Sequence, residues 1–124
     1  MNYEGVNAYL VSVFPDFVID EVDKELPYCV AGSFAHYLLD AYNNNFIETL
    51  ELAGNFIENL YAHKDDKIDN LATVGYLEAI QNVWSNNSIN PEEMVKYFGC
   101  TSQKWWTKLN RFWNGDVNAL NDDA

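Results

Sequence analysis

The chain has 124 residues, 48% of them hydrophobic and 15% aromatic, with seven Lys and Arg against 19 Asp and Glu for a net charge of −12. Its mass of 14.3 kDa predicts one domain, residues 1–124, which exposes roughly 6,800 Å² when folded and buries about two-thirds of its extended surface. The aromatic content excludes an acidic disordered chain, and two cysteines, Cys29 and Cys100, exclude a disulfide-dense scaffold.

The periodicity is helical nearly throughout. Val6, Tyr9, Leu10, Val13 and Phe14 recur at helical steps until Pro15 stops the first helix. Residues 16–27 form an acidic connection in which Asp16, Asp20, Glu21, Asp23 and Glu25 face the single Lys24, with room for one helical turn before Pro27. Val30, Phe34, Tyr37, Leu38 and Tyr42 stripe a second helix over about 28–42, closed by Asn43-Asn44-Asn45. In the third, Phe46, Leu50, Ala53, Ile57, Leu60 and Tyr61 make the expected buried stripe, and Glu48, Glu51, Asn55 and Glu58 make an outer acidic row.

Asp65 or Asp66 can cap the next helix, which is apolar over so wide an arc from Ile68 to Val83 that it is expected at the centre. Asn86-Asn87 ends it. Asn90-Pro91-Glu92-Glu93 then signals an N-cap, and Gly99 closes a short helix. Thr101 or Ser102 starts the last helix, with Trp105, Leu109, Phe112 and Trp113 on one face and Lys104, Lys108 and Arg111 on another. Residues 116–124 are expected to form a frayed tail. No period-two strand, repeat or low-complexity linker interrupts this pattern, so the fold class is all-α: a single-domain bundle of six or seven short helices.

The charge is uneven. Residues 1–95 hold 16 acids and three bases, a net −13, whereas residues 96–124 hold four bases and three acids. Such a field repels nucleic acid and anionic membranes and speeds capture of a basic protein. No stretch nears eighteen apolar residues and no basic leader precedes an apolar run, so a cytoplasmic protein is expected, with its two cysteines reduced and packed.

The remaining constellations favour bland readings. His63 beside Asp65, Asp66 and Asp69 has the spacing of a turn and a cap rather than of a metal site, and His36 reads as a hydrogen-bonded boundary residue. No serine lies in a nucleophile elbow, no glycine-rich phosphate loop occurs, and neither cysteine has a catalytic motif, so no enzyme activity, catalytic residue, metal or cofactor is expected. Paired carboxylates leave a small hydrolase as an option. Residues 91–113 have the proportions of a helix-turn-helix, but three tryptophans load the supposed recognition helix and the acidic body opposes DNA, which favours an αα-hairpin packed on that body. Adjacent Trp105 and Trp106 point about 100° apart on a helix, so one is expected at a boundary.

Phe56-Ile57-Glu58-Asn59-Leu60, the run from Asp69 to Ile80 and the early Phe14-Pro15 resemble a family of small acidic helical bacterial proteins found with polymorphic toxin systems, including contact-dependent growth inhibition. The resemblance covers residues 10–113 and rests mainly on helix-packing positions. It implies an immunity protein that binds its own strain's toxin domain in the cytoplasm, and it carries over no catalytic residue. The acidic groups expected to meet a cationic nuclease domain are Asp16, Asp20, Glu21, Asp23 and Glu25 with Asp65, Asp66 and Asp69, and secondarily Glu48, Glu51 and Glu58. The competing reading is an acidic adaptor or nucleic-acid mimic that inhibits a host DNA- or RNA-binding protein.

Overall fold

Prolines and asparagines divide this chain into helices. The structure, a computed structural model, describes residues 1–121. After a 3-10 turn over Tyr3–Gly5, α1 (Val6–Val13) buries Val6 and Leu10 and ends ahead of Pro15. The acidic connection contains one 3-10 turn, Glu21–Asp23, capped by the Asp20 carboxylate on the Val22 N–H. Pro27 opens α2 (Pro27–Asn43), where its missing N–H costs nothing. Asn45 reverses the chain with φ of 59°, a conformation asparagine tolerates better than most residues, and α3 (Ile47–Tyr61) returns antiparallel.

Asp65 caps α4 (Asp66–Asn70) through the Lys67 and Ile68 N–H groups, 2.9 and 3.1 Å away. A π-helical stretch, Leu71–Leu77, joins α4 to α5 (Glu78–Asn86) without a break. Six of its seven residues are buried and only Val74 faces solvent, so this rod occupies the middle of the bundle against α2, as its wide apolar arc predicts. Gly75 lets the packing close in there: a Cβ would lie 2.8 Å from Leu71 Cδ1, a side-chain end that would have to shift to admit it.

No strand occurs among the described residues, and the fold is all-α around one contiguous core. Phe14, Phe34, Tyr37, Phe56 and Tyr76 form its aromatic centre; Phe14 and Phe34 lie 4.9 Å apart between ring centroids. Each fully buried ring contributes about 1.5–3 kcal/mol through the hydrophobic effect. Trp84 is completely buried and its indole N–H donates to the Ala35 carbonyl at 3.2 Å, so the largest side chain of α5 is also satisfied.

The C-terminal third departs most from expectation. Pro91–Tyr97 is a 3-10 helix rather than an α-helix, although Asn90 caps it through the Glu92 N–H. In α6 (Cys100–Trp113) the buried face is Ser102, Trp106 and Leu109, whereas Trp105 is half-buried and Trp113 exposed. Trp106 turns inward because Glu92 accepts its indole N–H at 2.8 Å. Lys108 leaves the basic face: it is only 4% exposed, with its ammonium 4.7 Å from the centre of the Trp105 ring.

The expected frayed tail is structured through residue 121. Residues 119–121 form a 3-10 turn with Ala119 fully buried, and Arg111 pairs with Asp116 at 2.6 Å; residues 122–124 of that tail lie outside the described residues. Four other placements differ. Phe46 is 59% exposed instead of heading the α3 stripe, His36 is exposed, and both free cysteines are exposed rather than packed.

Candidate functional site

The antiparallel α2–α3 pair gives the molecule two ends, about 22 Å apart along the 15 residues of α3. One end gathers the start of α2, the end of α3 and the Asp65–Asp69 cap. The other gathers the turn after α1, the end of α2 and the start of α3.

At the first end, Asp65 is committed to capping. Asp66 is exposed, and half-buried Asp69 has its carboxyl held above the ordinary value by burial and then by the charges of Asp66 and Asp65. Asp69 Oδ1 is enclosed with no hydrogen-bond partner among the described residues. Beneath it, Tyr61 and Thr73 share a buried hydrogen bond of 2.6 Å, and burial pushes the Tyr61 hydroxyl up. Glu25 lies near Tyr3 and Asn7 at the start of α1, and exposed Glu21 pairs with Lys24 at 2.7 Å. Val18 and Val22, 83% and 77% exposed, interleave with these acids, giving the connection an apolar as well as an acidic character.

Glu58 does not belong to the outer row. It is half-buried, and its carboxylate accepts from the Thr101 N–H at 3.2 Å, the Ser102 N–H at 2.9 Å and the Ser102 hydroxyl at 2.8 Å. It is thus the N-terminal cap of α6, supplied from α3 because Gly99 at the cap position has no side chain. Burial pushes its carboxyl up, but the hydrogen bonds from Ser102 and Thr101 together outweigh this and leave it below the ordinary value. A Cβ on Gly99 would lie 2.5 Å from the Glu58 side chain, so glycine is needed for that approach. Glu51 remains exposed, sharing a shallow surface with Asn55, Lys96 and Tyr97.

The second end holds a concavity between the turn after α1 and the α2–α3 turn. A depression of about 320 Å³ is lined by Asp16, Tyr37, Asp40, Ala41, Asn44, Phe46 and Thr49. Glu48 adjoins it on a neighbouring surface shared with Phe46 and Ile47, both exposed. Burial and then the charge of Asp16 raise the Tyr37 phenol above its ordinary value. Asp16 is thus separated from Asp65, Asp66 and Asp69, with which the sequence groups it.

Asp40, Tyr37 and the exposure of Phe46 were not evident as site features from the sequence. A usable signal existed in Asp40, a lone acid in the last turn of an otherwise uncharged helix, where the backbone dipole disfavours it.

Among the described residues no group of His, Cys, Asp and Glu can hold a metal ion, and no helix is long and apolar enough to cross a membrane. Comparison with curated proteins and with solved structures gave no match. A family model does match, over residues 7–114, which takes in α2 to α6 and all of α1 but Val6. The chain belongs to that family, a domain of unknown function (DUF7674).

Proposed function

We propose that this protein is an immunity-type inhibitor that binds and neutralises a cationic bacterial toxin domain, most simply a nuclease, in the cytoplasm, acting by association and performing no chemistry. The observation that carries this reading is unneutralised charge. Against a net −13 over residues 1–95, the described residues contain two ion pairs, Glu21–Lys24 and Arg111–Asp116, and both are exposed.

The exposed carboxylates outside these pairs project their field into solvent, where it steers a basic partner at rates that fall as salt screens it. Exposed Val18, Val22, Phe46 and Ile47 among those acids supply the apolar contact that slows release. A standard interface takes about 800 Å² on one side, roughly a ninth of the 6961 Å² surface. The likeness to immunity proteins over residues 10–113 supports the same reading.

Co-expression with a cognate toxin domain is expected to restore growth. The purified pair is expected to associate at least about tenfold faster at low salt than at physiological salt. Absence of a complex at low ionic strength, or full protection by variants with reversed charge at Asp16, Asp20, Glu21, Asp23 and Glu25, would refute the proposal.

A further inference from the structure

The depression at the α2–α3 turn combines three features that favour the same ligand. Asp16 and Asp40 line it, both are exposed, and neither carboxylate has a hydrogen bond or ion pair to a described residue. It also sits at the C-terminal turn of a 17-residue helix that carries no basic residue in its last turn. The carbonyls there are satisfied by the Asn44, Asn45 and Phe46 N–H groups, yet the negative end of the helix dipole stays uncompensated. Finally, Tyr37 and the 59% exposed Phe46 supply aromatic surface beside the acids.

We propose that this depression receives an arginine side chain of a protein partner, its guanidinium between the Asp16 and Asp40 carboxylates and its stem against Phe46 and Tyr37. The inference deepens the toxin-binding reading and rests on it for the identity of the partner. Arginine fits better than lysine: a planar fork bonds two carboxylates at once and stacks on rings, whereas an ammonium does neither as well. Asn44 adds an acceptor, because its Nδ2 donates to the Asp40 carbonyl at 2.8 Å and so leaves Oδ1 for a donor from the ligand. A volume of about 320 Å³ is room enough for the end of one side chain and lies at the small end of ligand sites.

The test is an amide NMR titration of the intact protein with N-acetyl-arginine methylamide, alongside its lysine and citrulline counterparts. Saturating shifts confined to Tyr37, Asn44, Phe46 and Thr49 are expected with arginine, weaker ones with lysine and none with citrulline. The Asp16→Asn/Asp40→Asn double variant, which removes two exposed charges and no hydrogen bond, is expected to keep its helical spectrum and bind arginine about tenfold more weakly. Equal shifts with citrulline, or arginine shifts as large at Asp65–Asp69, would overturn the site.

The double variant separates the two readings in a binding assay with the toxin domain. A complex as tight as that of the wild type would overturn the pocket as a contact and leave toxin binding standing. Arginine binding in the pocket without any toxin complex would overturn the toxin reading alone.

Discussion

Removing the Glu58 carboxylate is expected to loosen the C-terminal third more than any other exposed or half-exposed acid would. In Glu58→Ala, helix α6 loses its only side-chain cap, worth about 1 kcal/mol, and the favourable meeting of a carboxylate with its N-terminus, worth about 0.3–1 kcal/mol. The Ser102 hydroxyl, fully buried, loses its acceptor as well, adding about 1–3 kcal/mol. The sum is on the order of 3 kcal/mol, or a fall in Tm of about 12 °C for a chain of this length.

Glu58→Gln keeps one acceptor oxygen and is expected to lose only about 1 kcal/mol. Urea denaturation monitored by intrinsic tryptophan fluorescence and far-UV circular dichroism reads both. Because the folded carboxyl lies below its ordinary value of 4.5, its contribution is complete above that pH and fades as the pH falls through the lower folded value. Glu58→Gln is expected to abolish this acid-side loss. An alanine variant within about 0.5 kcal/mol of the wild type, or one equal to the glutamine variant, would refute the cap argument.

Gly54→Ala is expected to cost about 2–4 kcal/mol in urea denaturation, since its Cβ would run into the Tyr97 carbonyl, a backbone atom with little room to yield. Gly32→Ala meets nothing within 4 Å in the middle of α2 and is expected to stabilise by about 0.5–1 kcal/mol, so the pair tests packing against propensity. Asp69→Asn is expected to stabilise the protein at pH 7. The folded Asp69 carboxyl lies above its ordinary value, so the wild type gains stability from this site as the pH falls through that raised value, and thermal melts of the variant are expected to lose that gain.

Much of the fold was legible because its punctuation is local. Asp65, Asn90, Pro27 and the Asn43–Asn45 turn each act on neighbouring backbone groups, so spacing alone located the helix boundaries they make. The Glu58 cap was not legible, since it joins residues 43 and 44 positions apart, and Thr101 and Ser102 read as caps of their own helix. The face of α6 was misread for a similar reason. Ser102, Trp106 and Leu109 have helical spacing, but the serine hides the stripe, and its burial makes sense only with Glu58 as acceptor. The pocket depends on Phe46 turning outward after a left-handed Asn45, which inverts what a periodic stripe predicts.

The π-helical stretch at Leu71–Leu77 gives the central rod one place where its length can change. Its i→i+5 turns hold about one residue more than α-helical turns, so a single deletion there can be absorbed by reversion to α geometry, whereas the same deletion in α5 before Trp84 rotates everything beyond it by about 100°. Trp84 would then swing away from the Ala35 carbonyl. A single-codon loss within Leu71–Leu77 is therefore expected to be milder than one between Glu78 and Val83.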